Sequence, residues 1–227
     1  MDPRVEKRLG LKGLADKIVT AEQAAALIEN GTVVGMSGFT RAGDAKVVPM
    51  ALVERAKNEK IKIDVYTGAS LGPEVDNHLA AAGVINKRGP FQGDAVMRGM
   101  INKDQISYVD AHLSHNAELV RQGVIGPIKH LILEAVAITE DGLIIPSNSV
   151  GNSPIFAEYA ENIIIELNIS HPEALIGIHD IYVPGEQGKR DAIPMTNAEQ
   201  RIGEIGIRVD LDKIQAIVIS EEPDAPS

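Results

Sequence analysis

Cysteine and tryptophan are both absent from this chain of 227 residues. Without cysteine the protein can form no disulfide, no thiolate metal site and no cysteine nucleophile. Aromatic residues make up only 3% of the chain, which disfavours a surface that stacks nucleic-acid bases. The sequence also lacks an apolar run of about 18 residues, the length that a bilayer-spanning helix needs. These absences favour a cytoplasmic protein that binds neither nucleic acid nor membrane.

The charge balance supports the same interpretation. Asp and Glu number 32 against 22 Lys and Arg, a formal net charge of −10 at pH 7, and an acidic surface repels nucleic acid and anionic membranes. Hydrophobic residues make up 44% of the chain, which is enough for a full core. We therefore predict one domain over residues 1–220. The acidic, proline-containing residues 221–227 would then form a tail or the start of an interdomain linker.

Helical and strand patterns alternate along most of the chain. A capping box at 20–23 and the Asn-Gly pair at 30–31 bound the first predicted helix. The predicted helices cover 21–30, 45–59, 74–82, 94–102, 116–122 and 152–160. The predicted strands cover 32–37, 61–67, 107–113, 131–139, 142–146, 163–167 and 216–219. The alternation predicts an α/β fold with a mainly parallel sheet covered by helices, one antiparallel hairpin at 131–146, and a long loop at 184–206.

A glycine-rich loop follows the first predicted strand and leads directly into a helix. Its candidate ligand-binding residues are Gly38, Phe39, Thr40 and Gly43. Ligands of open α/β sheets collect at the carboxyl ends of strands, and glycine lets the backbone approach a ligand closely. The following helix would direct free N–H groups at an anion. The loop therefore predicts a site for a phosphate, a carboxylate or a thioester.

A second polar glycine loop occupies 147–154, again between a strand and a helix. Its candidates are Ser149, Val150, Gly151 and Asn152, whose backbone and side-chain groups are suited to hold a carbonyl or carboxylate oxygen. The alternative is ordinary capping of the helix that follows. Two such loops in one domain favour a binding site.

Two other features bear on chemistry. Glu134 lies inside the apolar run at 131–138, where it is either a positioned acid or nucleophile or half of a structural ion pair, and we favour the ion pair. His112 and His115 have poor spacing for a metal at a strand end, so we predict no metal site there and a hydrogen-bonding role at the mouth of the cleft.

Four segments follow one another along the chain: Ser-Gly-Phe-Thr-x-x-Gly-x-x-Lys-x-Val-Pro at 37–49, Thr-Gly-Ala-Ser at 67–70, Glu-Asp-Gly-x-Ile-x-Pro at 140–146 and Ser-Val-Gly-Asn-Ser at 149–153. In this order and spacing the chain resembles the acetyl-CoA hydrolase/transferase family, which includes succinyl-CoA:acetate CoA-transferases. The resemblance extends from about residue 12 to 225. It implies an α/β domain of the CoA-transferase type.

The resemblance also implies a reaction. Members of the family have two similar halves with the active site between them, and they move CoA from an acyl-CoA to a small carboxylate. A glutamate attacks the acyl-CoA and then carries CoA as a thioester. CoA thioesters are the substrates, and no tightly bound cofactor is expected. A complete member is expected to be a homo-oligomer.

This chain departs from the family in length, because members are roughly twice as long and carry the glutamate in their second half. No glutamate here matches that motif, so we assign no catalytic residue. We expect an N-terminal domain that needs its C-terminal half or a complementary chain and is inactive alone. The alternatives are a complete small enzyme resembling sugar-phosphate isomerases on a related fold, and a non-catalytic module that binds acyl-CoA or carboxylates.

Overall fold

The structure is a computed structural model that describes residues 2–36 and 38–224. The α-helices of this part of the chain are α1 (Pro3–Arg8), α2 (Ala21–Ala26), α3 (Val47–Ala56), α4 (Ala95–Ile101), α5 (Asn116–Arg121) and α6 (Ser153–Tyr159). A π-helical segment covers Glu74–Leu79, and short 3₁₀ helices cover Lys12–Lys17, Leu113–His115, Glu173–Leu175 and Leu211–Lys213. The strands are β1 (Val33–Met36), β2 (Ile63–Tyr66), β3 (Ile85–Gly89), β4 (Ser107–Tyr108), β5 (Ile128–Ile138), β6 (Leu143–Pro146), β7 (Asn162–Asn168), β8 (Ile207–Arg208) and β9 (Ile214–Ser220).

Seven strands form a parallel arrangement in the order β4-β3-β2-β1-β5-β7-β9. Strands β1 to β4 extend the sheet in one direction. The chain then returns to β5, which pairs with the other edge of β1, and β7 and β9 extend the sheet in the opposite direction. The far half of β5 pairs with β6 in an antiparallel hairpin, and β6 pairs with β8. The predicted α/β class, the mainly parallel sheet and the hairpin are confirmed. The order of strands reverses between β1 and β5, the place where open α/β sheets bind ligands.

The central strands are buried on both faces, as strands of a covered parallel sheet must be. Neighbouring residues of β5 belong to different cores: Leu131 and Leu133 pack with α1, α5 and α6, whereas Ile132 packs with α2, α3 and α4. At the start of α2, Thr20 and Gln23 make both hydrogen bonds of the predicted capping box. Helices therefore cover β5 on both faces of the sheet.

One predicted strand was too long, and one strand of the parallel sheet was missed. The segment 107–113 forms a strand only at β4, because β4 pairs with β3 alone and Pro90, which follows β3, has no N–H to extend the ladder. Strand β3 was missed, since Asn86, Lys87 and Arg88 resemble a solvated segment although Arg88 is fully buried.

The predicted long loop at 184–206 carries no helix or strand. Residues 221–224 are likewise irregular, and 225–227 of the predicted tail lie outside the described residues, as does Ser37 of the first predicted strand. The domain boundary at 220 stays a prediction. Among the described residues, no helix is both long and apolar enough to cross a membrane.

Candidate functional site

The two predicted glycine loops touch each other at the carboxyl ends of β1 and β6. A Cβ added to Gly43 would lie 2.8 Å from the backbone nitrogen of Ser149, and Gly43 has a φ of +68° that favours glycine. Ser149 Oγ donates a hydrogen bond of 2.9 Å to the carbonyl of Ala42. The backbones of the two loops are therefore in direct contact beside the point where the strand order reverses.

The tip of the first loop is the exposed part of this contact region. Phe39 and Ala42 exchange two backbone hydrogen bonds of 2.9 and 3.1 Å, which close a tight turn, and Thr40 adopts a φ of +58° within it. The Phe39 side chain is 56% exposed, although large aromatic rings are usually buried. Gly38, by contrast, is buried. The tip thus presents an apolar ring on a hydrogen-bonded turn.

The second loop contributes a partly exposed edge. Gly151 is exposed with a φ of +53°, and Val150 and Asn152 are half-buried. Asn152 also faces the segment after β2, where a Cβ added to Gly68 would lie 3.0 Å from its Nδ2. The structure therefore brings the candidates of both loops, and a third glycine segment, to one edge of the sheet.

A buried ion pair between Asp76 and Arg88 stabilises the segment after β2. The Asp76 and Arg88 side chains are fully buried, with Arg88 Nε 3.0 Å from Asp76 Oδ1. Asp76 Oδ2 accepts a hydrogen bond of 2.6 Å from the N–H of Leu71, and Asp44 Oδ2 accepts one of 2.7 Å from the N–H of Gly72. Asp44 thereby ties the loop after β1 to the segment after β2.

Lys46 belongs to the motif at 37–49 but was not among the predicted site residues, and it is the centre of a buried polar cluster behind the loops. Its ammonium lies 2.7 Å from Glu134 Oε2, 2.9 Å from Asp224 Oδ1 and 2.8 Å from the carbonyl oxygen of Asp44. The Lys46 side chain is 5% exposed. Three acceptors therefore match the three donors of the ammonium group.

Glu134 makes the ion pair that we favoured, and it makes further contacts. Ser147 Oγ donates to its Oε1 at 2.5 Å, Asn168 Nδ2 donates to its Oε2 at 2.8 Å, and His171 Nε2 lies 3.3 Å from Oε1. Burial opposes ionisation of Glu134, but the contact with His171 and the charge of Lys46 outweigh burial and lower its pKa. With both oxygens engaged and no exposure, Glu134 is a structural carboxylate.

Glu166, on the neighbouring strand β7, caps helix α3 from outside the helix. Its carboxylate accepts hydrogen bonds of 2.8, 3.1 and 2.8 Å from the N–H groups of Lys46, Val47 and Val48, which have no partner within the helix. Glu166 pairs in register with Glu134. Burial raises the pKa of Glu166 to about 7 and that of Asp44 also to about 7.

Glu134, His171 and Asp224 lie close enough together to share a metal ion, since their ligand atoms are within 4.8 Å of one another. The Lys46 ammonium, however, already contacts both carboxylates and supplies the positive charge there. A divalent ion would have to displace it, so we assign no metal to this cluster. The ring centroids of His112 and His115 lie 5.5 Å apart with the ring planes tilted by 44°, and their predicted role at the cleft stays a prediction.

A groove of about 720 Å³ runs beside Lys46 and Val47 at the start of α3. None of the eight predicted site residues lines it. Its lining includes four acidic residues, Glu22, Glu54, Glu74 and Glu222. Such a lining repels phosphates, so the groove is poorly suited to the nucleotide part of a ligand.

Comparisons with known proteins give one family. Residues 3–223 match the family described as acetyl-CoA hydrolase/transferase N-terminal domain. The chain is 43% identical over 221 residues to the succinyl-CoA:acetate CoA-transferase of Clostridium kluyveri, covering 96% of this chain and 41% of that protein. It is 35% identical over 215 residues to the acetyl-CoA hydrolase of Saccharomyces cerevisiae, covering 90% and 40%. The chain thus spans less than half the length of these curated relatives.

Solved structures share the fold at low sequence identity. RipA from Yersinia pestis has a TM-score of 0.66 and 18% identity, covering 93% of this chain and 44% of that chain. Glutaconate coenzyme A-transferase from Acidaminococcus fermentans has a TM-score of 0.55 and 12% identity, covering 66% of each chain. The fold of the described residues is therefore one that a CoA-transferase also has.

Proposed function

Because the chain belongs to the acetyl-CoA hydrolase/transferase N-terminal domain family, we propose that it supplies one wall of an acyl-CoA site. The complete enzyme would move CoA between an acyl-CoA and a small carboxylate, or release CoA to water. The observation that carries this proposal is the direct contact of the two glycine loops, Gly43 against Ser149, beside the reversal of strand order. The exposed Phe39 turn and the edge at 150–152 are the surface that would meet the thioester.

The nucleophile of the proposed reaction lies outside this chain. A carboxylate that attacks the thioester carbon forms a mixed anhydride and releases CoA thiolate, which then attacks the anhydride to give an enzyme thioester and the free acid. Glu134 and Glu166 are the fully buried glutamates of the site, and hydrogen bonds occupy the oxygens of both. Neither can reach an acyl-CoA, so we expect no transfer activity from this chain alone.

Hydrogen exchange on the purified chain tests the binding surface without requiring turnover. We expect acetyl-CoA to protect backbone amides in 39–43 and 149–152, and desulfo-CoA to protect them less if the thioester itself is bound there. Protection confined to the acidic groove, or to segments away from both loops, would contradict the proposal.

An activity assay tests the position of the nucleophile. The chain is incubated with acetyl-CoA and succinate, alone and with a separately expressed C-terminal half of the Clostridium kluyveri relative. Turnover only in the mixture supports the proposal, whereas a borohydride-reducible glutamyl thioester on this chain alone would overturn it. A cytoplasmic location and a homo-oligomeric complete enzyme belong to the same proposal.

A further inference from the structure

The carboxylate of Asp224 is bound by groups from distant parts of the chain. Lys46 Nζ lies 2.9 Å from its Oδ1, the N–H of Gly43 donates to the same oxygen at 3.3 Å, and Asn148 Nδ2 donates to Oδ2 at 2.5 Å. His171 Nε2 lies 4.0 Å from Oδ2. The three donors belong to the two glycine loops and the start of α3. Asp224 therefore sits at the candidate site as a ligand would.

The surroundings favour an ionised carboxylate at this position. Burial opposes ionisation of Asp224, but hydrogen bonds from Lys46 and Asn148 outweigh it and lower the pKa. The Asp224 side chain is only 15% exposed and that of Lys46 only 5%. A charged oxygen pair held by an ammonium, an amide and a backbone N–H in a sheltered place has the composition of a carboxylate-binding site.

Lys46 is arranged so that one of its donors serves this carboxylate. Glu134 Oε2 and the carbonyl oxygen of Asp44 accept two of the three hydrogen bonds of the ammonium group, at N···O distances of 2.7 and 2.8 Å. The third proton is left for Asp224. If Asp224 were removed, a buried cationic donor would lose its acceptor, which is unfavourable unless another acceptor replaces it.

The segment that carries Asp224 is held separately. Residues 221–224 form no helix or strand, Asn168 Nδ2 donates to the carbonyl of Glu222 at 2.7 Å, and Arg4 pairs with Glu221 at the surface. The backbone therefore has anchors other than the Asp224 carboxylate. Beyond its Cα, an aspartate side chain is a methylene and a carboxylate, so it has the size and shape of acetate.

We propose that Lys46, Asn148 and the N–H of Gly43 form a binding site for a small free carboxylate, which Asp224 occupies from within the same chain. A free carboxylate and Asp224 compete for the same donors. The link to catalysis rests on the proposed function, in which a small carboxylate accepts CoA. Carboxylate binding itself does not depend on CoA or on turnover.

Replacement of Asp224 by glycine tests the site, because it removes an acetate-sized group and leaves the donors in place. We expect Asp224→Gly to melt at a lower temperature than the wild-type chain in sodium chloride. Sodium acetate at equal ionic strength should restore the melting temperature in a saturable way, and isothermal titration should give one bound acetate per chain. In the wild-type protein Asp224 competes for the same donors, so a specific effect of acetate should need a much higher acetate concentration than the one that saturates Asp224→Gly. Propionate and succinate should bind more weakly than acetate, since they exceed the space that the substitution opens.

Three variants serve as controls. Asp224→Asn keeps the side-chain volume, so acetate should not stabilise it. Glu221→Gly removes a neighbouring but exposed acidic group, and it should show no acetate effect. Asn148→Ala combined with Asp224→Gly should weaken acetate binding at least about tenfold, because a hydrogen bond to a charged group is lost.

Equal effects of acetate and chloride on Asp224→Gly, or acetate binding that Asn148→Ala leaves unchanged, would overturn the inference. A negative result in this experiment would not affect the expected protection of amides by acetyl-CoA or the expected transfer activity of the reconstituted mixture. Failure of those experiments would leave a carboxylate site without the proposed enzymatic role. The two proposals can therefore fail independently.

Discussion

An added methyl group at Gly43 tests how rigidly the two glycine loops contact each other. The new Cβ would lie 2.8 Å from the nitrogen of Ser149 and 3.1 Å from its carbonyl oxygen. Both are backbone atoms, which cannot rotate away as a side chain would. Gly43→Ala must therefore shift one loop relative to the other, and it must also place alanine at a φ of +68°.

Gly123 offers a matched control for the backbone conformation. It has a φ of +70°, it is exposed after α5, and a Cβ added there would meet no atom within 4 Å. The left-handed conformation costs alanine roughly 1–2 kcal/mol at either position. Overpacking against a fixed backbone adds roughly 1–3 kcal/mol. We therefore expect losses of about 1–2 kcal/mol for Gly123→Ala and about 2–5 kcal/mol for Gly43→Ala.

Urea unfolding at one pH, analysed by linear extrapolation, measures both losses. Hydrogen exchange of the amides at 149–152 reports whether the second loop moves. Equal losses for Gly43→Ala and Gly123→Ala, with exchange at 149–152 unchanged, would show that the loops separate without cost. The direct contact would then not define the site.

Three further predictions concern buried charge. Lys46→Met leaves Glu134 without its cation, so the free energy of unfolding in urea should fall by about 3–5 kcal/mol. The double variant Lys46→Met/Glu134→Gln should recover part of that loss. A loss below about 1 kcal/mol for Lys46→Met would contradict a stabilising ion pair. The pKa of Glu166 rises from 4.5 to about 7, so the folded state binds more protons than the unfolded chain across that range. The free energy of unfolding of the wild-type chain should therefore fall relative to that of Glu166→Gln by about 3 kcal/mol between pH 4.5 and 7. A difference between the two proteins that stays constant with pH would refute this. Burial lowers the pKa of His130, whose ring nitrogens have no hydrogen-bond partner among the described residues, so the unfolded chain takes up the proton first as pH falls below about 6.5. The melting temperature of the wild-type chain should therefore fall more steeply than that of His130→Leu between about pH 7.5 and 5. Parallel pH dependences of the two melting temperatures would argue against a neutral buried ring.

The sequence was sufficient to locate the two loops, but it did not predict that they touch each other. Each loop follows a buried strand and precedes a helix, so residues close together in the sequence are enough to locate it. The contact of Gly43 with Ser149 depends instead on the hairpin. Strand β6 runs antiparallel to β5 and ends with Pro146 opposite Ala135, close to Ile132, the β5 partner of Met36 at the end of β1.

The polar cluster could not be found in the same way, because its members are far apart along the chain. Lys46 is 88 residues from Glu134, and Glu166 is 120 residues from the first N–H that it caps. One signal was available and went unused. Glu166 interrupts the run Ile163–Leu167 just as Glu134 interrupts its own apolar strand. Two carboxylates inside two buried strands each need a partner, and a lysine at the start of a helix can satisfy both through its side chain and its backbone.

These contacts anchor the end of the first glycine loop. The loop ends at Lys46, whose side chain is held by Glu134 on β5 and whose N–H is held by Glu166 on β7. Because these two glutamates are paired in register, the position of the loop end depends on the alignment of the central strands. A shift of one residue between β5 and β7 would break one contact or the other. The sheet itself therefore organises the loop before any ligand arrives. Binding to such a preformed surface loses less conformational entropy than binding to a loop that must first become ordered.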